Sequence, residues 1–128
     1  MRKARLVGGW VGGAIMVLSS AMHSFLGWKA LGEQLAATTA PADLVRGLAL
    51  GWHFAGAAML AFGLIVCAAF GAALKGRAGS ALPAALVGGL YVVFGIGAFV
   101  ASGMNPFFAT FVVPGLLVLW GVGELRAR

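Results

Sequence analysis

The side chains best suited to chemistry in this sequence are its two histidines, His23 and His53. Ser20, Ser24 and Trp28 follow or flank the first, Trp52 precedes the second, and Asn105 lies at a later hairpin. An imidazole can ligate haem iron or a transition metal, bind a polar head group or shuttle a proton. Met22 and Met104 would add soft donors to a metal held by His23 and His53. The two histidines are thirty positions apart and share no spaced motif of the HxxxH kind, so helices must bring them together. The simpler role for each is structural: a histidine at a membrane boundary is satisfied by water, a backbone carbonyl or a neighbouring serine.

The elements that would position these residues follow from composition. Of 128 residues 62% are hydrophobic and 9% charged, against about 25% charged in soluble domains. A chain of this length cannot hide so much apolar surface behind a polar shell, and lipid is its natural solvent. A bilayer core about 30 Å thick takes roughly 20 apolar residues in a helix. Four such stretches are present, at about 6–26, 51–74, 82–102 and 106–122. Residues 1–128 therefore read as a single all-α domain, an antiparallel up-down bundle of four transmembrane helices. Ser80 with Pro83 suits the start of the third span, and Asn105-Pro106 the cap and first turn of the fourth. Pro41 and Asp43 suit the first turn of the second. The opening Met1-Arg2-Lys3-Ala4-Arg5, the apolar run and Ser19-Ser20-Ala21 resemble a secretory leader; we read the segment as the first span.

Orientation follows from the cations. Arg2, Lys3, Arg5, Lys75, Arg77, Arg126 and Arg128 fall on one side, and only Lys29 and Arg46 on the other. The excess predicts both termini in the cytoplasm and residence in the inner membrane of a bacterial-type cell. Trp10 and Trp120 sit near the cytoplasmic charges and Trp28 and Trp52 near the opposite level, as two interfacial belts would. A helix from Pro41 to Leu74 would reach about 51 Å at 1.5 Å per residue, longer than the bilayer requires. The first helix continues an apolar stripe through Trp28, Leu31 and Leu35. Residues 27–50 are thus expected to form a paired helical extension of helices 1 and 2 beyond the outer face. Counted from Leu6, His23 lies about 26 Å along its helix, and counting back from Lys75 places His53 at a similar outer level.

The polar side chains within or beside the spans gather at that outer level: Ser19, Ser20, His23, Ser24, His53, Ser102, Asn105 and Thr110. Polar groups in lipid are costly, so the asymmetry marks where a pocket would open. Gly8/Gly12, Gly9/Gly13 and Gly47/Gly51 have the small-x-x-x-small spacing that lets helix backbones approach. Pro114 is expected to kink the fourth span. Glu33 and Asp43 fall in solvated extension or loop, Tyr91 reads as a core or lipid-facing aromatic whose hydroxyl finds a backbone partner, and a lone Cys67 excludes disulfide and CxxC chemistry. The basic residues lie at helix ends without a stacking patch, which argues against nucleic acid.

Four spans in a short chain are similar in size to the small multidrug resistance transporters and to the glutathione-linked membrane enzymes. The first family carries a glutamate inside a span, and the second a charged site on the cytoplasmic side; neither has a counterpart here. The favoured expectation is a binding protein. Its ligand is a small amphiphile or hydrophobe (lipid, quinone or haem) in an outer-leaflet pocket of His23, His53, Ser20, Ser24, Asn105, Trp28 and Trp52. The first alternative is an accessory subunit of a homo-oligomer or larger membrane complex, and the second a small transporter or membrane enzyme. Enzyme chemistry has the least support, because no catalytic motif is present.

Overall fold

The computed structural model describes residues 1–126, with Arg126 described by its backbone alone, so Arg128 of the cation count lies outside the described residues. α1 spans Arg2–Met22 and runs through a π turn, His23–Gly27, into α2, Trp28–Ala36. α3 spans Ala42–Leu74 and α4 Ala81–Ala101; a 3-10 turn, Pro106–Phe108, leads into α5, Ala109–Arg126. There is no strand among the described residues. Four helical stretches of 35, 33, 21 and 20 residues are long and apolar enough to cross a bilayer, the hallmark of a multi-pass membrane protein.

The ends of these helices are largely written in local chemistry. Asn105 Oδ1 accepts the Phe107 N–H at 3.0 Å, with Pro106 in the first turn behind it. Asp43 lies in the first turn of α3, with Pro41 immediately before the helix. α3 ends on Gly76, whose φ of 78° is left-handed, and the Arg77 N–H closes back to the Ala72 carbonyl at 2.9 Å. Ser80 stands at the start of α4 but makes no capping bond, so it marks the boundary without securing it. Two features were not expected from the sequence. The first span carries a π turn, and the fourth opens as a 3-10 turn rather than as α-helix.

Glycines set the order of the helices. α1 packs along both α3 and α5, α4 packs along α5, and α3 meets α4 and α5 only sparingly. Gly9 and Gly13 face α3: the Phe70 ring fills the space beside Gly9, and a Cβ on Gly13 would lie 2.8 Å from Val66 and 2.9 Å from Cys67. Gly8 and Gly12 face α5, where a Cβ would meet Trp120 at 2.9 Å and the Pro114 carbonyl at 2.8 Å. The two overlapping glycine pairs thus turn to two different neighbours inside the chain. Gly88 and Gly115 abut each other's backbone in the same way across α4 and α5. Gly47 and Gly51 have nothing within 4 Å.

The core between these contacts holds Phe70, Met16, Val66, Val118 and Pro114, all sealed. Outside it the chain presents apolar surface, with Phe25, Phe54 and Val93 exposed by 75%, 77% and 72%. Only 28–33% of residues in the spanning windows are buried. Lipid tails are as apolar as leucine, so such helices associate through close packing rather than by escaping solvent, and glycine is what permits it. At one end Glu124 joins the first and last helices, accepting from Arg5 Nη1 at 3.1 Å with Arg2 at 3.8 Å.

Candidate functional site

At the opposite end from that ion pair the helices separate around a cleft of about 430 Å³. Ser19 and Met22 of α1, with His23, Leu26 and Gly27 of the π turn, form one side. Trp52 and Met59 of α3 face Tyr91 of α4, and Phe107, Thr110 and Phe111 complete the lining. Among the described residues no charged side chain lines the cleft. It occurs where α3 and α4 lack the reciprocal glycines that bring α1 against α3 and α4 against α5.

His23 and Trp52 organise the mouth. Their rings stack at 4.3 Å with planes 6° apart. The Trp52 indole N–H donates to the His23 carbonyl at 2.8 Å, and His23 Nε2 contacts the Trp52 carbonyl at 3.2 Å. A carbonyl can only accept, so Nε2 carries the proton of this contact. A π turn displaces the regular backbone ladder and leaves carbonyls open to outside donors; here the indole takes one of them. The ladder break and the cross-helix bond are therefore two sides of one arrangement. Gly27 makes it possible, since a Cβ there would sit 2.9 Å from the Trp52 ring. The same His23–Trp52 pair borders a second, more open groove of about 460 Å³ along Asp43, Leu44, Gly47 and Leu48 of α3.

The other residues expected at the site are dispersed around this pair. His53 is exposed, and its ring lies 5.6 Å from Trp28 rather than beside His23. Trp28 in turn lies 6.4 Å from Trp52, which fastens the start of α2 to α3. Each imidazole thus has its own indole, and the two are not presented to one cleft. Among the described residues no group of three or more His, Cys, Asp or Glu side chains converges to hold a metal ion. Ser20 is buried and donates to the Val17 carbonyl at 2.6 Å. Ser24 packs into the space left by the missing side chain of Gly56. Asn105 is occupied as a cap. Both serines and the asparagine are doing structural work within or between helices.

Four residues that matter at the cleft were not among those singled out: Ser19, Met59, Tyr91 and Thr110. Ser19 and Thr110 were visible as outer-level polar residues, but only the helix order shows that they face each other across one space. Tyr91 is the least obvious. It is 4% exposed and packs at 5.8 Å from Phe111, and its hydroxyl has no hydrogen-bond partner among the described residues. A single tyrosine in an apolar run gives no sign of that.

Set against known proteins, the chain has no counterpart in these comparisons: no family model, curated protein or solved structure matches it.

Proposed function

We propose that this is a multi-pass inner-membrane protein, both termini cytoplasmic, that holds a small hydrophobic or amphiphilic ligand in the cleft between Trp52 and Tyr91. The observation that carries the reading is the cleft itself: an apolar space of about 430 Å³, within the size range of small-molecule sites, with a few polar groups at its walls. The distribution of cations supports the orientation, which puts the cleft in the outer leaflet and carries α2 and the first turns of α3 beyond it. Of the expected ligands, a lipid or quinone suits the uncharged lining better than haem. His53 is not part of the lining, and His23 already spends Nε2 on a backbone carbonyl.

Native mass spectrometry of the gently solubilised protein tests the reading. A reproducible added mass is expected in the wild type and absent from Ser19→Phe, which fills the cleft while breaking no hydrogen bond. Equal retention by both proteins would place the ligand elsewhere. Orientation is tested in a Cys67→Ala background by Thr38→Cys and Ala78→Cys, which should label from outside and inside respectively. Labelling from the same side would overturn the topology.

A second reading, an accessory subunit, draws on the open face of Gly47 and Gly51, where a Cβ would meet nothing within 4 Å among the described residues.

A further inference from the structure

We infer that the ligand of the cleft is a neutral planar ring bearing a carbonyl, of the quinone class, and that Tyr91 Oη is the donor that selects it. This rests on the binding reading above and narrows it to a chemical class.

Three features converge on that chemistry. First, the walls are aromatic: Trp52, Tyr91, Phe107 and Phe111 all line the cleft. Flat apolar faces favour a flat ligand through offset and edge contacts, whereas a flexible acyl chain gains nothing particular from them. Second, the lining carries no charged side chain among the described residues, so a phosphate or carboxylate would enter without a counter-charge, and desolvating it would be prohibitive. Third, among the described residues two lining hydroxyls, those of Ser19 and Tyr91, make no hydrogen bond, and of these only Tyr91 Oη is buried; the other donors are already used. The Thr110 hydroxyl donates to the Phe107 carbonyl at 2.8 Å, and His23 and Trp52 donate to each other's backbone. Tyr91 Oη is buried and donates to nothing among the described residues.

An apolar interior makes that last point decisive. A buried hydroxyl without a partner is disfavoured by about as much as a hydrogen bond contributes, and no water is at hand in a bilayer to relieve it. Tyr91 can be satisfied from the cleft it borders, by an acceptor that the ligand brings. A ring carbonyl supplies one without introducing charge. Oη is covered by the lining, so the carbonyl reaches it only as that lining yields. Met22 and Met59, long and unbranched, are the members of that lining best able to do so.

The test compares two probes of nearly one shape, a dimethylated naphthoquinone and the corresponding dimethylnaphthalene. Methylation beside both carbonyls keeps the quinone from arylating Cys67. Each is titrated against the purified full chain in detergent, and binding is read from the upward shift in thermal unfolding. The inference expects wild type to bind the quinone about tenfold more tightly than the hydrocarbon, the value of one hydrogen bond. Tyr91→Phe should lower quinone affinity to the hydrocarbon's level and leave hydrocarbon binding unchanged. Ser19→Phe should abolish both. If Tyr91→Phe leaves quinone affinity intact, or weakens both probes equally, Tyr91 does not select a carbonyl and the inference fails while the cleft remains a binding site. If wild type binds neither probe, or if Ser19→Phe binds both unchanged, the cleft reading fails with it.

Discussion

The two ends of this bundle are built from the same helices and packed by opposite means. Around Gly9, Gly12 and Gly13 the backbones of α1, α3 and α5 close on one another, and Phe70 and Val66 fill what remains. Around Ser19, His23 and Gly27 the helices are held apart by aromatic rings, and a cleft opens. The first arrangement depends on missing side chains and tolerates no additions. The second depends on a few directed bonds, which leave space between them. A membrane bundle that gains little from simply burying apolar surface can thus be rigid at one end and receptive at the other.

Gly9→Leu is the sharpest test of the rigid end. The Phe70 ring already occupies the site, so the added side chain must displace it, at about 3 kcal/mol. Thermal unfolding in detergent should show the loss, with poor yield of monodisperse protein. If Gly9→Leu unfolds at the wild-type temperature, Gly9 does not pack against Phe70. This also changes what the glycine pattern means. The sequence alone allows Gly9 and Gly13 to serve a partner protein; their contacts with Phe70, Val66 and Cys67 assign them to the chain's own fold.

Trp52→Phe probes the other end. It keeps an aromatic ring against His23 and removes the N–H that donates to the His23 carbonyl. A loss of about 1 kcal/mol is expected. Hydrogen exchange should quicken across the π turn at residues 23–27 and stay unchanged near Gly9 and Gly13. Uniform acceleration along α1 would mean that the two ends are not independent, which would remove the contrast.

Tyr91→Phe should act in the opposite direction. Deleting a buried hydroxyl that has no partner relieves its desolvation, so the ligand-free protein is expected to unfold later by about 1 kcal/mol. Earlier unfolding would show that the hydroxyl is satisfied in the folded state.

Much of the framework is legible in the sequence. Apolar runs of bilayer length gave the spans, and Asn105-Pro106 and Asp43 gave two helix starts, because spans and caps are decided by neighbours in sequence. The π turn was not legible: it accompanies an indole N–H arriving from a residue 29 positions away. Whether His23 and His53 converge was not legible for a related reason. Matching height along two helices says nothing about which way each ring faces, and the two rings turned to different tryptophans. Tyr91 was expected to find a backbone partner for its hydroxyl and has none among the described residues, because the pairing of a hydroxyl is a property of its surroundings rather than of its residue type.

The smallest effect is expected where the chain covers nothing. Among the described residues a Cβ at Gly51 would meet nothing within 4 Å, so Gly51→Leu should leave the unfolding of the purified chain within about 0.5 kcal/mol of wild type. Beside Gly9→Leu this makes a matched pair: one residue type, one substitution, and one kind of helix, with only the neighbour changed. The pair also reaches beyond the isolated chain. A Gly51→Leu protein that is unperturbed in detergent but loses stability or abundance in native membranes would locate a partner on the Gly47–Gly51 face. One that behaves as wild type in both settings would leave that face to lipid, and the accessory-subunit reading would lose the observation that favours it.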